Sequence, residues 1–116
     1  MRAVAVLGLV FACACSGPPA SDVEVCRDVI GRICRARCPS VDARLGLTVN
    51  SDCTARLTTA STCITDDFRF ENRDAFLSCR LPIIRSSDHV EATPPCTDVD
   101  EMFLGCPSLV QFFGGP

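Results

Sequence analysis

The sequence predicts an all-α fold, a small disulfide-stapled bundle of about four short helices that follows a cleaved signal peptide. Three observations carry this reading. Ten cysteines fall within 116 residues. Apolar residues recur at helical spacing in four segments, and no segment keeps the strict alternation of a half-buried strand. An uncharged apolar run at the N-terminus marks the chain for export, where disulfides persist.

The N-terminal run is read first. Met1-Arg2 is a minimal positive start, and Ala3 to Ala12 is apolar. That run is shorter than the roughly 20 residues a spanning helix needs. It fits the apolar core of a secretory signal, about 7–15 residues. Ser16-Gly17-Pro18-Pro19-Ala20-Ser21 is small, polar and helix-breaking, as a tether is. The chain therefore divides into a signal peptide over 1–14, a tether over 15–21 that begins at Cys15, and one domain over 22–116.

Residues 22–37 form the first predicted helix. Val23, Cys26, Val29, Ile30, Ile33 and Cys34 share one face, and Arg27, Asp28, Arg32 and Arg35 lie off it. Ser21 or Asp22 can cap its start, and Pro39 ends it. Residues 40–50 are a connection with room for a turn of helix. Ser51 and Asp52 open a second helix over about 52–64, with Cys53, Leu57, Ala60 and Ile64 as its buried stripe. A third runs over about 71–80 with Phe76, Leu77 and Cys79 inward, and Phe68 and Phe70 seal the turn before it. Residues 82–95 are an irregular loop closed by Pro94-Pro95. Thr97 and Asp100 suggest a capping box for a fourth helix over about 98–105, with Val99, Met102 and Phe103 inward. Leu109, Val110, Phe112 and Phe113 make an apolar tail that packs back on the helices.

Eight cysteines lie in the domain: Cys26, Cys34, Cys38, Cys53, Cys63, Cys79, Cys96 and Cys106. All eight are expected in disulfides. Antiparallel packing of the first two helices favours Cys26 with Cys63, and Cys53 with Cys34 or Cys38. Cys96 and Cys106 sit at opposite ends of a helix, roughly 13–15 Å apart at 1.5 Å per residue. Bridged Cα atoms lie within about 7 Å, so these two do not pair. Five cysteines fall in the first half and three in the second, so at least one bridge crosses between halves. Cys53–Cys63 and Cys96–Cys106 each enclose nine residues, a spacing similar to that of twin CX9C helical hairpins. The long separation of the two pairs, the extra cysteine between them and the export signal set this chain apart from that family.

The two cysteines of the leader carry a further resemblance. Ala12-Cys13-Ala14 before Cys15 satisfies the small-x-small cleavage rule, and Val10-Phe11-Ala12 precedes Cys13. A short signal, a small residue and then cysteine resembles the lipobox of bacterial lipoproteins over residues 1 to about 17. The favoured Leu is missing three places before either cysteine, and bulky Phe11 disfavours the Cys13 register. The resemblance implies that Cys15, or alternatively Cys13, carries diacylglycerol on its thiol after cleavage just before it. Cleavage before Cys15 leaves an even set of eight cysteines for the oxidised domain. It also implies a membrane partner through the lipid anchor. Ser16, where an inner-membrane retention signal would have Asp, implies the outer membrane.

Composition narrows the partners. All eleven basic residues are Arg, against fourteen acidic ones. Losing Arg2 with the signal leaves ten against fourteen, a net charge of −4. This argues against nucleic acid, which needs a basic face, and against electrostatic docking on anionic lipid. Trp and Tyr are absent. No cofactor, metal or catalytic residue is expected. Cys34-x3-Cys38 is the only tight cysteine pair of the domain, CxxC is absent, and His89 stands beside Asp88 without a nucleophile elbow. The acidic residues near 66–74 and 98–101 suit helix N-termini. The sequence thus points to a non-enzymatic envelope lipoprotein that displays a rigid module for protein contact. The 82–95 loop or the C-terminal Phe pair, Phe112 and Phe113, is its candidate surface. A freely secreted effector or inhibitor is the alternative.

Overall fold

Seven helices and four disulfides build the protein in a computed structural model that describes residues 19–85 and 93–116. The leader with Cys13 and Cys15, the tether up to Pro18, and His89 with the loop around it lie outside the described residues. The helices are α1 (Asp22–Ala36), α2 (Pro39–Arg44), α3 (Cys53–Ser61), α4 (Arg73–Cys79), α5 (Leu81–Ile84), α6 (Cys96–Gly105) and α7 (Ser108–Phe112). No strand occurs among the described residues.

Local chemistry sets the helix ends. Ser21 and Glu24 form a full capping box on α1, with Ser21 N donating to Glu24 Oε1 at 2.9 Å and Glu24 N to Ser21 Oγ at 3.3 Å. Such a box satisfies two orphan donors of the first turn. Arg37 ends α1 in the left-handed region (φ 47°), with its N–H on the Ile33 carbonyl. Asp52 and Asn72 cap α3 and α4 by accepting from Ala55 N and Ala75 N, each at 3.1 Å.

α1 is the central element. Val23, Val25, Cys26, Val29, Ile30 and Ile33 are buried along it, and α3 packs against it. Two bridges join this pair in antiparallel register, Cys26–Cys63 and Cys34–Cys53, with Cα separations of 6.2 and 5.6 Å. The remaining bridges hold α6 at both ends. Cys38–Cys96 ties its start to the start of α2, and Cys79–Cys106 ties its end to the end of α4. α6 then buries Val99, Met102 and Phe103 against its neighbours α2, α5 and α7. Each nine-residue cysteine interval brackets one helix, and its two cysteines bond to different elements.

The structure corrects five details of the sequence reading. The domain has seven described helices where about four were expected, because α2, α5 and α7 are single short turns too brief to show periodicity. The stripe of α3 runs Cys53, Leu57 and Ser61, not through Ala60 and Ile64. Thr62 leaves the helix in the left-handed region (φ 63°), so Ile64 lies beyond it and is 52% exposed. The capping box of Thr97 and Asp100 does not form. α6 starts at Cys96 after Pro95 with no side-chain cap, and Asp100 accepts from Ser40 Oγ at 2.6 Å. Pro82 begins a helical turn at the start of the expected loop.

Arg32, placed off the apolar face by periodicity, is buried with a side chain only 3% exposed. α5 covers it. Its Nε donates to Asp28 Oδ2 at 3.0 Å, and its Nη1 to the Ile83 carbonyl at 3.3 Å. Removing one partner of a buried ion pair costs about 3–5 kcal/mol, because the other charge stays desolvated. Arg32→Ala is therefore expected to lower stability by about that amount in thermal unfolding of the oxidised protein. Arg32→Lys, which keeps the charge and loses the fork, should fall between the two.

The C-terminal residues close the gap between α2 and α3. Gly114 adopts φ 92°, and a Cβ on it would stand 2.7 Å from Ala60 Cβ. A Cβ on Gly115 would stand 2.5 Å from both the Arg44 carbonyl and Val110 Cγ1. Overpacking of this kind costs about 1–3 kcal/mol. Gly115→Ala is expected to destabilise by that order in the same assay, although it removes no contact.

Candidate functional site: an aromatic hollow

The residues between Cys63 and Arg73 form no helix, yet they are fastened at both ends. Cys26–Cys63 holds the start covalently. Arg27 adds to it, with Nε donating to the Cys63 carbonyl at 3.1 Å and Nη2 to the Ile64 carbonyl. At the far end Asp22, in the first turn of α1, accepts the Phe70 N–H at 2.8 Å and pairs with Arg73. Arg73 also donates to the Ala20 carbonyl at 2.7 Å. The chain entering the domain is thus clamped to the segment that carries Phe68 and Phe70.

Those rings meet two others. Phe70 stacks on Phe76 at 4.1 Å between centroids, 21° from parallel. Phe68 meets Phe70 edge-on at 5.0 Å. Phe112 of α7 lies 5.7 Å from Phe76 and 6.3 Å from Phe70. The series continues inward from Phe112 to Phe113 at 4.9 Å and from Phe113 to Phe103 at 6.4 Å. Offset and edge-on ring pairs each contribute about 0.5–1.5 kcal/mol beyond their area. Six of the seven phenylalanines therefore form one connected cluster, half core and half surface.

The surface half is an open hollow of about 580 Å³. Phe68, Phe70, Phe76 and Phe112 make its apolar wall, and Ser108, Gln111, Asn72, Glu71 and Arg69 also line it. Phe68, Phe70 and Phe112 keep part of their surface exposed, while Phe76 is buried. Ligand sites typically enclose about 300–1,000 Å³ with apolar walls and a few polar groups. Ser61, at the floor, donates its hydroxyl to the Leu57 carbonyl at 2.7 Å, which leaves it no free proton to aim at a substrate.

The structure splits the Phe pair that the sequence nominated as a surface. Phe112 lines the hollow, whereas Phe113 is 1% exposed and belongs to the core. Adjacent helical residues point about 100° apart, so they cannot share one wall. Of the other nominated surface, residues 86–92 lie outside the described residues. Phe68, Phe70 and Phe76 were read from sequence as packing residues. Their convergence on Phe112, some forty residues later, depends on the Cys79–Cys106 bridge.

A second hollow of about 420 Å³ lies beside α1, lined by Asp28, Arg32, Arg80, Glu24 and apolar neighbours. Its charges serve each other. Asp28 accepts from Arg32 and stands 4.0 Å from Arg80, and Glu24 is spent in the capping box. Burial lowers the pKa of Arg80, with Asp28 opposing, and its Nε is buried without a partner. The eight domain cysteines are all disulfide-bonded, so none offers a thiolate to a metal or substrate.

The Asp22 clamp has a defined pH dependence. The Phe70 N–H holds its carboxyl below the usual carboxylate range, and Arg73 adds to this against the opposing effect of burial. A depressed folded-state pKa stabilises above the unfolded value, about 3.9 for Asp, and that contribution disappears as pH falls through the folded value. Asp22→Asn is expected to lower the thermal midpoint at pH 7, and its difference from the parent protein should narrow as pH falls below about 3.9, the ordinary Asp value. Titrating the Asp22 carboxyl by NMR should give a midpoint below 3.9, the ordinary value.

No family model, no curated protein and no solved structure matches this chain, so the reading of the hollow rests on its own residues.

Proposed function

We propose that this protein is a non-enzymatic lipoprotein of the cell envelope, anchored through Cys15, that presents a rigid disulfide-rich module for protein contact, with the Phe68–Phe70–Phe76–Phe112 hollow as its contact surface. The observation that carries this is the pairing of all eight domain cysteines. Complete pairing suits an exported protein, and an even set of eight is what cleavage before Cys15 leaves. Among the described residues no helix is long and apolar enough to cross a membrane, and in this reading the lipid on Cys15 supplies the attachment. Several acyl chains on one residue anchor stably where a single chain does not.

Protein contact is favoured by the chemistry of the hollow. Partly exposed aromatic rings in a preformed depression with few charges in its lining are the ingredients of an interface centre. Covalent and charge-assisted fastening of its walls reduces the ordering cost of binding.

The reading is tested by intact and peptide mass of the protein processed in its own envelope, before and after reduction. Expected are an N-terminal Cys15 bearing diacylglycerol and a gain of two hydrogens for each of four bridges. An unmodified N-terminus downstream of Cys15 would replace the anchored form with a freely secreted effector or inhibitor. Alkylation before reduction at any of the eight cysteines would refute the closed framework.

A further inference from the structure

We propose that the hollow takes a cationic segment of a partner protein, in which one or two large apolar side chains are flanked by Arg or Lys. This deepens the reading of the hollow as a protein-contact surface and rests on it. The apolar requirement comes from the four rings. The charge requirement comes from the segment that carries three of them.

Residues 66–74 carry Asp66, Asp67, Glu71 and Asp74 against Arg69 and Arg73. All four acids are exposed, and none enters an ion pair among the described residues. Arg73 is taken by Asp22. Arg69 turns back on its own segment, donating to the Asp66 and Phe68 carbonyls at 2.6 and 2.7 Å. Counting Asp22 with the four acids and subtracting the two arginines leaves −3 on the segment that carries Phe68, Phe70 and Phe76, of which Glu71 and Arg69 line the hollow itself. The opposite wall, Ser108, Gln111 and Phe112, is uncharged.

An apolar hollow walled by a segment of net negative charge matches a partner of opposite charge. It repels the phosphates of a lipid surface. A second copy of this chain shares the net negative charge. The hollow is open and wide rather than enclosed, which suits side chains presented by a polypeptide.

The absence of Trp and Tyr gives a direct assay. The processed full-length protein in neutral detergent is titrated against two peptides, Gly-Arg-Arg-Trp-Leu-Arg-Arg-Gly and Gly-Glu-Glu-Trp-Leu-Glu-Glu-Gly. The peptide's own Trp emission reports burial. The cationic peptide is expected to shift to the blue and to bind at least ten times more tightly than the acidic one. Its affinity should fall with added salt and at least threefold in Glu71→Arg, an exposed change that leaves the rings in place. Gln111→Phe, also at an exposed position, should plug the hollow and abolish binding without the refolding risk of Phe112→Ala.

Equal binding of both peptides, blocked by Gln111→Phe, would overturn the charge class while leaving the hollow a contact surface. No binding of either peptide, or binding indifferent to Gln111→Phe, would overturn the proposal outright. So would flotation of the protein, stripped of its lipid, with phosphatidylethanolamine vesicles in a manner lost in Gln111→Phe, or self-association lost in the same variant. The mass of the N-terminus is measured independently, so failure here is distinguishable from failure of the anchoring.

Discussion

The Cys38–Cys96 bridge is the constraint on which the rest of the molecule depends. It is the one disulfide among the described residues between the α1–α3 half and the α4–α7 half. Without it α6 would be tied only to α4, and the two halves would meet through a thin core. A chain of this size buries a modest fraction of its surface, and its helices are mostly too short to be stable alone. Each bridge typically contributes about 2–4 kcal/mol, in large part through the unfolded state. With α1 and α3 joined at two levels and α6 held at both ends, short helices of modest propensity become one cooperative unit. Burial of Val99, Met102 and Phe103 then follows from where the bridges put α6.

The hollow is a by-product of that framework. Cys26–Cys63 and Cys79–Cys106 mark the two ends of a stretch that contains one short helix and no sheet. Such a stretch would ordinarily be mobile, because few apolar contacts protect it. Here Arg27, Asp22 and the stacked rings Phe70 and Phe76 hold it from one side. α7 supplies Phe112 from the other. The exposed aromatic surface is therefore rigid without lying on a regular element, as a preorganised recognition site requires.

Much of this was legible in the residues and some was not, for physical reasons. α1, α3 and α6 were readable because each spans more than two turns and buries a repeating stripe, and the shorter α4 because Phe76, Leu77 and Cys79 fall together before Pro82. The antiparallel argument gave Cys26 with Cys63, and narrowed Cys53 to Cys34 or Cys38. Helix length excluded Cys96 with Cys106. Short turns such as α5 have no period to read, and α5 is what buries Arg32. A hydrophobic-moment argument places an arginine at the surface by residue type, whereas its burial is decided by a carboxylate one turn away and a carbonyl fifty residues later. The hollow was hidden for a related reason. Phe68, Phe70 and Phe76 are local, but Phe112 comes from beyond Cys106, which the Cys79–Cys106 bridge ties to the end of α4, and periodicity carries no information on connectivity.

The all-arginine composition fits the division of labour seen in the structure. Arg27, Arg32 and Arg73 reach backbone carbonyls, and Arg32 and Arg73 also reach carboxylates. A planar fork with several donors suits that dual role, and an ammonium point charge does not. These arginines join segments that share no regular secondary structure, and they neutralise acids mainly on the α1 side of the molecule. The acids of residues 66–74 are left without partners. The same bonding that stiffens the hollow thus leaves the acids of its wall unpaired, because Arg73 is held by Asp22 and Arg69 by backbone carbonyls.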